Sequence, residues 1–183
     1  MGWLSRKSFA FFPLAVIQEL KNVIKKYATK PFIFGYRISP DEHEEGGLRM
    51  KDTYELINRL IEANVDYVHA SLADALSSKP VDSQDDKTYL ELIVEHVNGR
   101  VPVMAAGSMV TADNVATALG KGLSLAAVGH GLIMNPGWVE KVQNGKETEI
   151  KTAIKTSQVS DLELPEKLWG IIQASGPWFK IED

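Results

Sequence analysis

The fold is decided by the stretch from Val101 to Trp138, VPVMAAGSMVTADNVATALGKGLSLAAVGHGLIMNPGW. Two short apolar runs, Val101–Ala106 and Leu125–Val128, each lead to a glycine: Gly107-Ser108 after the first, Gly129-His130-Gly131 after the second. One helix-length segment lies between them. The spacing predicts a strand, helix, strand unit with glycine at the C-terminal edge of each strand, the arrangement that builds a phosphate site at the top of a (β/α) barrel. A phosphate held by backbone N–H groups must approach the main chain closely, and a Cβ would obstruct it or forbid the backbone angle. The same glycines also fit ordinary strand-to-helix turns, and the pattern alone leaves both readings open.

Upstream of this unit the chain alternates helix and strand. Leu14, Ile17, Leu20 and Ile24 form one apolar face of a helix from Pro13 to Tyr27, opened by proline near its first turn. Phe32–Ile38 reads as an apolar strand. Asp52-Thr53-Tyr54-Glu55 reads as a cap with a carboxylate three residues on, starting a helix through Ile57, Leu60 and Ile61. Val65–Ala70 is the next strand. A polar loop from Ser71 to Asp86 precedes a second capping pattern, Thr88-Tyr89-Leu90-Glu91, and a helix to about Val97. A helix from about Thr111 to Lys121 joins the last two strands.

Four apolar strands joined by helices imply a parallel α/β sheet. Such a unit is half of an eight-stranded (β/α) barrel, and it is also enough for a small open sheet. An open doubly wound sheet buries both faces under helices, whereas a half barrel leaves one face exposed.

At 183 residues and 44% hydrophobic, the chain can bury a core and reads as a single domain, 1–183. A net charge of −4 speaks against a nucleic-acid surface, which normally needs a basic patch. No apolar run reaches membrane-spanning length, and the opening MGWLSRK lacks the apolar core of a signal peptide. Cysteine is absent, which excludes disulfides and thiolate metal sites and fits a reducing cytoplasm.

FGYRISPDEHEEGGL, NVDYVHASL, VPVMAAGSMVTADNVATALGKG, AAVGHGLIMNPGWVEKV and LPEKLWGIIQASGPWF together resemble the C-terminal half of old yellow enzyme type NADH:flavin oxidoreductases. The likeness runs from about Phe12 to Phe179. It implies strands five to eight of an FMN-binding (β/α) barrel: here, a half barrel of four parallel strands with covering helices. It also implies NADH or NADPH as electron donor, with hydride passing to flavin N5 and then to the β-carbon of an activated alkene.

The resemblance carries site residues with it. Arg37 matches the strand-five arginine that holds the N1/C2 carbonyl end of the isoalloxazine, where a fixed positive charge favours reduced flavin. From the residues alone, Arg37 could equally pair with Asp41, Glu42 or Glu44. Ala106, Gly107 and Ser108 match the strand-seven phosphate loop, and Gly129 the strand-eight end. The family usually has arginine next; this chain has His130. Arginine is always charged and bidentate, so the exchange implies weaker phosphate binding. His130 as a cap of the following turn is the other reading.

The family's front half is missing from this sequence. It would supply the threonine or cysteine that tunes the flavin, the paired His/His or His/Asn that grips the substrate, and a tyrosine proton donor. The resemblance therefore implies an incomplete oxidoreductase, inactive alone, with Arg6 and Phe12-Pro13 resembling the family's lead-in. Its partners are FMN or phosphate, and either a second copy or the missing N-terminal half barrel. A self-associating half-barrel scaffold is the reading from another class. A phosphosugar barrel enzyme shares the glycines but explains neither Arg37 nor LPEKLW.

His43, His69 and His96 are scattered without metal-ligand spacing. His96 reads as an exposed helix residue, His69 as a satisfied core or rim histidine, and Asp41, Glu42, Glu44 and Glu45 as a solvated acidic loop. Trp169, Trp178 and Phe179 read first as packing of a closing helix and tail.

Overall fold

Alternation along each strand, rather than continuous hydrophobicity, defines the architecture. The computed structural model describes residues 11–83 and 86–183. Met1–Ala10, with the expected lead-in at Arg6, lie outside them. Helix α1 (Phe11–Tyr27) precedes strand β1 (Gly35–Ile38). Then follow α2 (Met50–Glu62), β2 (Tyr67–Ser71), α3 (Tyr89–Val97), β3 (Val103–Ala106), α4 (Ala112–Gly120), β4 (Leu125–Ala127), α5 (His130–Met134) and α6 (Trp138–Gln143). The chain closes with β5 (Ile154–Lys155), α7 (Glu166–Ala174) and β6 (Ile181–Glu182).

The four main strands form one parallel sheet in the order β1-β2-β3-β4. On one face lie Ile38, Val68, Ala70, Val103 and Ala105, all buried with Ile57, Leu60, Leu90, Ile93 and Val97 of the helices. On the other face the register aligns Arg37, His69, Met104 and Leu125 in one row across the sheet. Leu125 is 52% exposed there. Among the described residues, helices close only that first face. That is the half barrel, since an open doubly wound sheet covers both faces.

Local chemistry sets the boundaries. Thr88 Oγ1 accepts the Glu91 N–H at 3.3 Å while the Glu91 carboxylate accepts the Thr88 N–H at 2.9 Å, a reciprocal cap for α3. Thr111 caps α4 in the same way with Asn114. Helix α2 starts three residues earlier than its sequence suggests: Arg49 is the cap, and Asp52 is the third-position carboxylate, accepting the Arg49 N–H at 3.0 Å. Gly35 leaves room for its neighbour, for a Cβ there would meet the Tyr67 ring at 2.2 Å unless that ring turned aside.

Strand β1 is shorter than the apolar run that predicted it, and Phe32 and Ile33 are exposed ahead of it. Helix α1 docks through Ile17, with Leu14 packed on the same core, while Leu20 of the expected face is exposed beside Val16 and Val23. A second core of Met134, Ile154, Leu162, Ile172 and Phe179 gathers α5, α7 and the parallel β5–β6 pair. Buried Asn135 ties it together, donating to Gly131 O and Lys151 O and accepting the Lys151 N–H at 2.8 Å.

Candidate functional site

At the C-terminal edge of the sheet, the strand ends and their loops enclose a cleft of about 190 Å³. Arg37, Ala106, Gly107, Ser108, Gly129 and His130, the six residues singled out from the sequence, all line it. Ser71, Leu72, Ala73, Met109 and Ala127 complete the lining. Ser71 was not anticipated. It lies two residues beyond His69 on one strand, so period-two alternation places it on the inner face, but its closeness to Arg37 depends on register.

Arg37 projects from β1, and one Nη2 donates to Ser71 Oγ at 2.5 Å. Among the described residues no carboxylate pairs with it. Of the acids named as its alternative partners, Asp41 and Glu42 have carboxylates engaged elsewhere, Glu42 accepting the Leu48 N–H at 2.8 Å. Asp41 is a buried hub, its side chain only 3% exposed, receiving Arg49 at 3.5 Å, the Tyr89 hydroxyl at 3.0 Å and the Val81 N–H at 2.9 Å. Burial and that carboxylate push the Tyr89 hydroxyl up to about 12. Asp41 therefore departs from the solvated acidic loop expected of it. Glu42 and Glu44 meet Arg49 through their backbone carbonyls. Arg37 is solvent-exposed at the cleft, so its remaining N–H donors stand open to an anionic or acceptor-rich occupant.

The two glycines differ. Gly107 sits at φ +153°, and a Cβ would come within 2.8 Å of both Leu72 O and Ala75 N. The fold itself demands glycine there. Gly129 has φ −104°, and a Cβ would meet nothing within 4 Å. Nothing in the chain's own packing excludes a side chain at Gly129, so the constraint there falls to what enters the cleft. Ser108 adopts a left-handed φ of 48° and spends its hydroxyl on Ala73 O at 3.0 Å. Neither the Gly107 nor the Ser108 N–H has an acceptor among the described residues. Paired unbonded donors beside a cation form an anion cradle.

His130 lines the same cleft, and neither ring nitrogen is hydrogen-bonded among the described residues. Its ring packs 4.4 Å from that of Phe179 and 6.0 Å from that of Trp178. His69 lies on the inner face beside Arg37 with its Nε2 buried and unpartnered, so it is not the satisfied histidine that was expected. Burial, then the Arg37 charge, lowers its pKa. His96 is likewise not a free surface residue: it stacks on Tyr54 at 4.3 Å and meets Asn58 Oδ1 at 3.1 Å.

A profile of the NADH:flavin oxidoreductase / NADH oxidase family matches residues 5–149. The probable NADH-dependent flavin oxidoreductase YqiG of Bacillus subtilis (strain 168) is 36% identical over 94% of this chain, which spans 46% of that protein. The NADH:fumarate oxidoreductase of Klebsiella pneumoniae (strain 342) is 36% identical over 90% of this chain and 18% of its own length. Thus the chain spans less than half the length of these relatives. Among solved structures, DHODH in complex with ferulenol from Eimeria tenella superposes with a TM-score of 0.50 at 14% identity, covering 77% of this chain and 44% of the other. That likeness is one of fold. No helix among the described residues is long and apolar enough to cross a membrane.

Proposed function

The chain belongs to the NADH:flavin oxidoreductase / NADH oxidase family, and from that premise we propose that its cleft holds FMN as the C-terminal half of an NADH-dependent oxidoreductase barrel. The observation that carries the reading is the convergence of an unpaired Arg37 with the open N–H donors of Gly107 and Ser108 on one cleft. The residues fit a phosphate-bearing flavin: the open N–H donors and the guanidinium line one cleft, and a Cβ at Gly129 would meet nothing within 4 Å.

When bound, FMN supplies the hydride chemistry, accepting from NADH and passing on to substrate. The chain's own contribution is binding and electrostatics. Gly107, Ser108 and Gly129 would hold the phosphate by main-chain contact, N–H groups donating to its oxygens, and His130 would add a side-chain donor. Arg37, fixed by Ser71, presents positive charge toward the ring system, where charge develops on reduction. His69, kept toward its neutral form by burial and by Arg37, leaves that guanidinium as the cation of the inner face.

The inner face of the sheet carries exposed Arg37 and Leu125. A complementary half barrel, or a second copy of this chain, would cover Arg37, Tyr67, His69, Met104 and Leu125. The isolated chain then binds flavin and turns over little alkene or NADH. The uncovered face also favours self-association as a second reading, in which the half barrel serves as an assembly module. The cysteine-free composition fits a reducing compartment such as the cytoplasm.

Titrating the chain with FMN while following flavin fluorescence tests the proposal. Saturable quenching, and its loss in Arg37→Met, is the expected result. Absence of binding in both proteins would defeat the cofactor assignment and leave the assembly reading.

A further inference from the structure

Resting on the FMN reading, we infer that the C-terminal tail makes His130 competent for phosphate: Trp178 and Phe179 clamp its imidazole at the cleft, as positioning residues for the anion site. The tail, beyond the segment that the family profile matches, is anchored independently of the cleft. Phe179 is 5% exposed within the second core, Ile181 pairs with Ile154, and the Ile154 N–H donates to Lys180 O at 2.9 Å. From that anchorage the Phe179 ring lies 4.4 Å from the imidazole, tilted by 53°. The Trp178 ring stands edge-on at 6.0 Å from His130 and 5.0 Å from Phe179.

Trp178 is 40% exposed, so the core does not account for its position. Among the described residues its ring contacts run to His130 and Phe179, and they limit how that imidazole can turn. A free histidine at a loop-to-helix junction would lose rotamer freedom on gripping a phosphate, and a ring already held by two neighbours loses less. Arg37 is the other basic side chain lining the cleft, and Lys180 on the tail is paired with Glu182 at 2.7 Å. His130 is thus the side chain through which the tail can reach the bound anion.

The test compares FMN, riboflavin and inorganic phosphate as probes, because riboflavin lacks the group that His130 would hold. Trp178→Leu is the primary variant, its side chain being partly in solvent; Phe179→Leu keeps an apolar residue in the second core. Both should lose about tenfold in FMN affinity, keep riboflavin affinity, and show a smaller rise in Tm with inorganic phosphate. His130→Arg in the Trp178→Leu background should restore FMN binding, since arginine carries its charge without support. Variants that bind FMN as the parent does refute the tail's role alone. Equal losses for FMN and riboflavin refute it too, by showing a general loosening of the cleft. A parent chain that binds neither FMN nor phosphate refutes the cofactor assignment and the tail's role with it.

Discussion

Replacing each cleft glycine by alanine separates what the fold requires from what the ligand requires. In Gly107→Ala the new Cβ meets two backbone atoms, Leu72 O and Ala75 N, at 2.8 Å, with φ at +153°. A residue held in that region costs about 1–3 kcal/mol, and overpacking against atoms that cannot swing away adds about 1–3 kcal/mol. Taking about 3 kcal/mol and about 3 °C per kcal/mol for a chain of this size, Tm should fall by about 10 °C. Gly129→Ala meets nothing within 4 Å at an ordinary φ, so its stability should stay within about 0.5 kcal/mol of the parent. Its FMN affinity should nevertheless drop by about tenfold, as the methyl group takes space beside a charge-assisted hydrogen bond. Urea unfolding followed by tryptophan fluorescence, paired with FMN titration, reads both effects. A stable Gly107→Ala, or a Gly129→Ala that binds FMN normally, would refute the reasoning at the corresponding position.

Other consequences follow from individual contacts. Glu91 is held down to about 2 by Lys121 and by the Thr88 cap, so its contribution is present above the ordinary value near 4.5 and is lost as pH falls toward about 2. Glu91→Gln should therefore cost about 1 kcal/mol at pH 7, and acid titration of both proteins should show the difference closing below pH 4.5. Removing the Arg37 charge in Arg37→Met should raise the His69 titration midpoint measured by NMR while burial keeps it below the usual histidine range; an unchanged midpoint would contradict the electrostatic coupling. The uncovered face and free edges of β1 and β4 should drive association, with Leu125→Lys shifting the light-scattering mass toward monomer; a parent that stays monomeric at all concentrations would contradict it.

Elements set by neighbours in sequence were legible before the structure. Thr88 with Glu91 and Thr111 with Asn114 cap their helices through contacts three residues apart, and the alternation of strands and helices follows from local periodicity. The strand ends at Gly107 and Gly129 were legible too, and with the resemblance they placed six residues that the sheet brings to one cleft. What escaped was set by register and tertiary burial. The Arg37–Ser71 bond spans two strands, Asp41 is met by Arg49, Val81 and Tyr89 from separate parts of the chain, and the buried Nε2 of His69 is left without a partner by tertiary packing. The pair Ile154–Ile181 forms strands of two residues, too short to carry a period. Helix α1 misled for a different reason: its sequence is apolar on more than one side, and Phe12, Val16, Leu20 and Val23 face outward.

The order of strands in the sheet repeats their order in the chain, each pairing with its successor across a single helix. Every ladder of the main sheet can therefore zip from a neighbour already in place, and no early step waits on the meeting of distant segments. Each ladder still closes a loop as long as one helix and its turns, which places the collapse in the middle range for mixed α/β chains. The kinetic bottleneck moves outward, to the joining of the free edges of β1 and β4 with another body. For separate polypeptides that step is second order, so its half-time should shorten as either partner is concentrated, while the rate of collapse within this chain stays constant.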